Sequence, residues 1–308
     1  MARRARGRPV HGWLVLDKPA GVSSAAAVAK AKWALDAQKA GHAGTLDPAA
    51  TGLLAIAFGE ATKTVPFVAD ARKAYRFTVR WGAATATDDA EGAVVATSAL
   101  RPDPQAIRAA LPEFTGGIMQ VPPQVSAVKV DGERAYARAR AGEVLDLAAR
   151  PLTVERLELV AVPDADSASF ELVCGKGGYV RSIARDLGER LGCLGHVAAL
   201  RRLWSGPFSL DGAIGWDALE AEARTLSLAA RLLPVRAALA GLPELVCPPS
   251  VAARLLNGNP VALPGASLPE GATVWASRGG RPLAVGAWRA GALHPSRVFV
   301  LGLSLIHI

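Results

Sequence analysis

The stretch Gly41-His42-Ala43-Gly44-Thr45-Leu46-Asp47-Pro48-Ala49-Ala50-Thr51-Gly52 constrains the fold more than any other part of the chain, because its glycines and proline disfavour continuous helix or strand. Pro48 pushes Asp47 out of the helical region, while Gly41, Gly44 and Gly52 permit unusual dihedrals or the close approach of another backbone. The pattern predicts a stiff, exposed loop that carries one carboxylate. A surface turn is the commonest use of an Asp-Pro pair, so Asp47 becomes a candidate for chemistry only through its neighbours.

The rest of the pattern alternates between strand and helix signals. Trp13–Leu16 reads as a buried strand, and Ser23 or Ser24 can cap a helix running through Val28 to Leu35. Leu53–Phe58 is a second apolar run, and Tyr75–Trp81 alternates as a half-buried strand does. Pro102–Pro104 open a helix through Leu111, Pro122-Pro123 precede an expected strand Val125–Val130, and a helix is expected near Ala135–Arg140. Thr153–Val162 and Ser169–Cys174 look like paired strands. Ile183, Leu187 and Leu191 fall at i, i+4 and i+8, which predicts a helix from about Tyr179. Trp216–Leu239 is expected to be helical, and from Leu242-Pro243 onward Pro and Gly recur every few residues.

A domain boundary is therefore expected near residue 242. The predicted organisation is a basic arm at 1–11, a main domain at 12–241 and a small domain of short strands, compatible with a β-barrel, at 242–302. No turn signal separates residues 303–308 from the strand before them, and they read as an appendage foreign to the fold.

A net charge of +8 on 308 residues suits a polyanionic partner, although nucleic acid, an anionic membrane surface and plain solubility all satisfy it. No apolar run approaches the ~20 residues of a membrane span, and Arg3, Arg4, Arg6 and Arg8 lead into a strand-like segment without an apolar leader core. A cytoplasmic protein is expected. Cys174, Cys193 and Cys247 are widely spaced, and the five histidines form no metal-ligand spacing, so reduced thiols and no metal are expected.

Several segments share the character of the acid loop: a polar residue pinned by Gly or Pro at the end of a strand. They are Leu16-Asp17-Lys18-Pro19 with Gly21 and Ser23-Ser24; Gly59-Glu60-Ala61-Thr62-Lys63; Lys73-Ala74-Tyr75; and Lys176-Gly177-Gly178-Tyr179-Val180-Arg181. Further along come Ser126-Ala127-Val128-Lys129 after Pro122-Pro123, then Gly132, Tyr136, Ala139-Arg140, Leu200-Arg201-Arg202 and Asn257-Gly258-Asn259-Pro260-Val261. Together with Gly-His-x-Gly-x-Leu-Asp-Pro, and in this order, they resemble the TruB family of bacterial tRNA pseudouridine synthases, which isomerise the T-loop uridine at position 55 of tRNA. The resemblance spans the chain from its first strand into its tail. It implies an α/β (α+β) fold with a mixed, largely antiparallel central sheet flanked by helices, followed by a small PUA-type RNA-binding domain. Gly178 stands where the family commonly has Thr, and Gly175 where a small polar residue is frequent.

The resemblance also implies roles. Asp47 would attack the target nucleotide at the sugar C1′ or the uracil C6, after which the base is detached, turned and rejoined through C5. Arg181 would keep that carboxylate ionised and in place. Tyr75 would stack on the base and take part in proton removal, and His42 would fill the gap left by a flipped base. Lys18 would support the pocket, Tyr179 would contact the substrate, and Leu200 would be a wall. Lys129, Arg140, Arg201 and Arg202 would meet RNA backbone, although solvated surface charge accounts for any one of them equally well. No cofactor is implied, the partner is the tRNA T-arm, and a monomer is expected. Two rivals remain: a tRNA-binding and refolding protein that acts without chemistry, and a glycoside hydrolase in which Asp17 or Asp89 would be the second acid.

Overall fold

Alternation of apolar and polar side chains makes the long strands. In Lys73–Trp81 the side chains of Lys73, Tyr75, Phe77, Val79 and Trp81 are buried, while Arg76 and Arg80 reach solvent from the other face. The computed structural model describes residues 7–126, 129, 130, 133, 134, 138, 143, 145–263 and 266–301. Packing divides the described chain into two compact units, one drawn from Met1–Asp47, Leu53–Ala69 and Gly206–Ile308, the other from Pro48–Gly52 and Asp70–Ser205.

In the first unit the strand Gly12–Lys18 pairs in parallel with Ile214–Gly215, and Ala40–His42 pairs antiparallel with the end of Thr51–Phe58. Trp13 is fully buried, packs 5.0 Å from Phe208 between ring centroids, and donates from Nε1 to Thr64 Oγ1 at 3.2 Å. The helix Ser24–Ala34 starts at Ser23, whose hydroxyl accepts from Ala26 N, as the sequence predicts. A five-stranded sheet follows, in the order Glu244–Val246, Thr273–Arg278, Arg281–Arg289, Ala292–Val298, Val261–Ala262. One face of that sheet closes on Leu255 and Cys247. Trp275, Val285 and Phe299 instead share a core with Trp13, Leu53 and Val235.

The second unit is an antiparallel sheet in the order Gly195–Ser205, Lys73–Trp81, Ser167–Cys174, Arg150–Asp164, Gly116–Gln120. Thr51 and Gly52 add to its edge in parallel with Arg201 and Arg202. The helix Val180–Arg190 begins after Tyr179 and buries Ile183 and Leu187 against Phe77, Phe170 and Trp81. The expected fold class, a mixed α/β protein with a largely antiparallel sheet and a small β-rich tail, is therefore the observed one.

Three local expectations change. Val125 and Ser126 are not strand; the two-residue strand Lys129–Val130 pairs with Glu133–Arg134, and Val125 gives its carbonyl to Arg181 instead. Trp216–Leu239 is broken into Trp216–Ala221, Leu226–Ala230 and a 3-10 turn at Val235–Leu239, because Arg224 adopts a left-handed φ of 62°, Thr225 caps a new helix and Pro234 stops it. Gly41 and His42 belong to a short strand, so the acid loop proper is shorter than its glycines suggest. Of the helix expected near Ala135–Arg140 only Arg138 is among the described residues, where it is helical, and the appendage 303–308 lies outside them.

Candidate functional site

The acid loop is fastened from within the first unit. Ala43 and Leu46 are buried, Ala43 N donates to Ala55 O at 3.0 Å, and Asp47 stays half-buried next to Leu46. The key fastening is Ser24. Its hydroxyl donates to Leu46 O and accepts from Leu46 N, both at 2.8 Å, so one side chain satisfies both backbone groups of the residue before Asp47. Gly44 has φ +82°, which a residue with a Cβ rarely adopts. Lys18 is completely buried and caps the turn after its strand, donating from Nζ to Pro19 O and Val22 O at 2.8 Å each. His42 is half-buried in the strand that leads into the loop.

The second unit supplies aromatic and cationic groups. Tyr75 and Arg202 face each other across neighbouring strands, and the Arg202 guanidinium is hydrogen-bonded to the Tyr75 side chain. Arg202 is only 1% exposed, so the direct meeting with RNA backbone expected of it does not describe its place: it lies under the sheet surface. Burial pulls its ionisation below the ordinary arginine range, an effect that Tyr75 offsets. Two residues from Tyr75, Lys73 is also buried; desolvation, with Arg202 beside it, lowers its pKa to about 8. Its Nζ donates to Ala71 O at 2.8 Å. On the far side of Arg202 the backbone of Gly52 comes so close that a Cβ there would lie 2.3 Å from Arg202 O. The last glycine of the opening motif is thus needed for strand contact.

Arg181 opens its helix with its side chain 6% exposed, its Nη1 and Nη2 donating to Thr87 O and Val125 O at 3.0 Å each. Asp89 Oδ2 lies 3.6 Å from Nη1. Asp89 itself accepts from Thr87 Oγ1 and Glu91 N, so its carboxylate is fixed before it meets the guanidinium. Next to it, Asp88 pairs with Arg185 at 3.0 Å; burial raises its pKa and Arg185 opposes the rise. Asp89 holds Arg181, a role that sequence reasoning did not assign to it; the signal was a Thr-Asp-Asp run before a Gly, which looks like any turn.

Tyr179 N donates to Gln120 Oε1 at 2.9 Å and Tyr179 O accepts from Gln120 Nε2 at 3.1 Å, while its ring packs on Leu145 and Leu147. Leu200 is half-buried against the core around Tyr75, and its carbonyl accepts from Thr51 Oγ1 at 3.3 Å. Arg201 is half-buried on a strand paired on both sides, opposite Thr51 and Arg76. Lys129 lies in a described strand but its side chain, like all of Arg140, lies outside the described residues. A Cβ at Gly178 would meet Cys174 Sγ at 2.8 Å, so the departure from Thr goes with the buried thiol.

Residues 32–180 match the family model described as the N-terminal domain of TruB family pseudouridylate synthase, and residues 181–240 match that of the tRNA pseudouridylate synthase B C-terminal domain. The chain belongs to the TruB family. It is 62% identical over 302 residues to tRNA pseudouridine synthase B of Dinoroseobacter shibae, covering 98% of this chain and 99% of the relative. It is also 62% identical to the protein of that name from Paracoccus denitrificans, covering 98% and 100%. Among solved structures, a Cbf5-Nop10-Gar1 complex chain matches with a TM-score of 0.74 at 25% identity, over 94% of this chain and 85% of that one. The C-terminal sheet fits the PUA-like part expected from the sequence.

Proposed function

We propose that the protein converts uridine 55 of the tRNA T-loop to pseudouridine. The observation that carries the reading is Asp47: a carboxylate left half-exposed on a loop whose neighbouring residue is bridged by Ser24. Relatives of about this length and name support it. The C1′–N1 bond of the uridine breaks, C1′ bonds to C5, the C5 proton leaves and N1 takes up a proton, so no outside co-reactant is consumed. Asp47 is the nucleophile, at C1′ or C6. Tyr75 stacks on the base and accepts a proton, Arg181 holds charge and geometry, and His42 fills the space of the extruded base. Tyr179 and Leu200 line the nucleotide, Lys18 supports the turn, and Arg201, Lys129 and Arg140 meet the RNA backbone.

Residues 12–241 form the catalytic domain and 242–302 the PUA-like RNA-binding domain, in a cytoplasmic monomer. The test is an unmodified tRNA transcript tritiated at uracil C5, from which isomerisation releases label. Wild-type protein should release one equivalent per tRNA. Asp47→Asn should release none while binding tRNA within about threefold of wild type. Undiminished turnover by that variant would remove Asp47 from the chemistry, and a wild type that binds but never releases label would favour the refolding protein.

A further inference from the structure

Tyr75 is asked to act on a proton, yet a phenol buried to 8% exposure is a poor base unless something supports its anion. The strand beside it provides that support. Arg202 lies directly across from Tyr75 in the antiparallel register, is among the largest fully buried side chains of the protein, and is hydrogen-bonded to the Tyr75 side chain. Its backbone is fixed on both sides, by the Tyr75 strand and by the close approach of Gly52. A guanidinium placed there is costly to desolvate, and a surface phosphate contact would not require it.

We propose that Arg202 is a positioning residue for Tyr75: its buried guanidinium fixes the phenol oxygen and supports the phenolate that takes the C5 proton when the base rejoins the ribose. In that step the C5–H bond breaks, its electron pair restores the C5–C6 double bond, and the proton becomes the Tyr75 hydroxyl hydrogen. Arg202 suits the task because a guanidinium holds its charge on burial better than an amine does and its planar donors hold a direction. Lys73, on the same face of the Tyr75 strand, is a weaker candidate, since its amine is committed to Ala71 O and loses its charge near pH 8. The other titratable groups on elements packed against this strand include Cys174, whose thiol burial pushes up to about 11, Arg181, held by Asp89, His196, whose Nδ1 lies 2.9 Å from Ala83 O, and Arg201, opposite Arg76; Asp70 acts on Lys73 from the turn before the strand. Arg76 and Glu171 pair on the opposite face. The inference rests on the proposed isomerase reading, and its test separates the two.

The chain has only three tyrosines, Tyr75, Tyr136 and Tyr179, so the full-length protein labelled with 13Cζ-tyrosine gives three resonances, and Tyr75→Phe identifies one. Tyr75 in the wild type should ionise at or below the ~10 of a free phenol despite burial. Arg202→Met should raise that midpoint by at least one pH unit and Arg202→Lys by less. Label release from C5-tritiated tRNA should fall at least tenfold at pH 7.5 with Arg202→Met and recover as pH rises, with tRNA affinity within threefold. An unmoved midpoint in a folded Arg202→Met protein overturns the inference. Should that variant not fold, the wild-type midpoint decides: ionisation above ~10 overturns it equally. A shifted midpoint in a protein that never releases label would instead leave the Arg202–Tyr75 coupling standing and remove the isomerase reading.

Discussion

The two regions proposed to carry the chemistry are held by different means. Around Asp47, local devices do the fastening: a serine hydroxyl, a buried lysine on two nearby carbonyls, a left-handed glycine and the buried side chains of Ala43 and Leu46. Around Tyr75, charge is buried under a long-range sheet. Arg202, Lys73 and Arg181 are all less than 10% exposed, and the first two are placed by pairing between strands more than a hundred residues apart in the chain. The acid half can therefore leave its carboxylate accessible at little cost, whereas the cationic half depends on every partner, because a buried charge stripped of one loses several kcal/mol.

The sharpest test of that contrast is Arg181→Lys. A lysine keeps the charge but cannot span Thr87 O, Val125 O and Asp89 at once, so label release should fall about a hundredfold or more in single-turnover assays. Asp89→Ala should reproduce much of that loss and also destabilise the protein by about 3 kcal/mol in urea titration. On the acid side, Ser24→Ala removes two hydrogen bonds to one backbone residue, which should cost about 1–2 kcal/mol and about tenfold in label release. If Ser24→Ala proves as damaging as Arg181→Lys, the contrast between a lightly fastened and a heavily charged half is broken.

The same contrast decides what was legible in the chain. The acid loop announced itself because its devices are local: glycines, a proline and capping serines within about thirty residues produce the geometry they suggest, and the strand Lys73–Trp81 followed from alternation alone. Arg202 could be named but not located, since a basic pair on a strand looks the same whether it faces solvent or the core; only pairing with the Tyr75 strand turns it inward. Asp89 and Gln120 were missed for the same reason, as each acts on a residue more than fifty positions away. The broken helices of Trp216–Leu239 were hidden by an Ala- and Leu-rich composition that favours helix until Arg224 and Pro234 interrupt it.

Gly178 tests whether the cationic half is also packed tightly where it carries no charge. Its φ is unremarkable for a residue with a side chain, so the only obstacle to the family's common Thr is the 2.8 Å approach of Cys174 Sγ and the 3.1 Å approach of Leu152 Cδ1. Gly178→Thr should cost about 1–3 kcal/mol by overpacking, and pairing it with Cys174→Ala should recover most of that in a double-mutant cycle. Additive losses would show that the thiol and the glycine are not linked.

The smallest expected effect is a pH dependence that belongs to the cationic half. Lys73 titrates near 8 in the folded protein and at 10.5 when unfolded, so between those values the unfolded chain holds a proton that the folded one has released. Stability must then rise with pH through this window, since it increases wherever the unfolded state binds more protons. Cys174 acts in the other direction. Its thiol stays protonated to about 11 when folded but ionises near 9.0 when unfolded, so above 9 it removes stability as pH climbs. The two trends oppose above pH 9 and leave a clean interval between 8 and 9, where Lys73 contributes at most about 1.4 kcal/mol of added stability. Melting temperatures of wild type and Lys73→Met across that interval should converge or cross in favour of the wild type as pH rises. Parallel curves would mean that the buried amine is solvated more fully than its surroundings suggest, and the cationic half would then be less dry than the acid half is open.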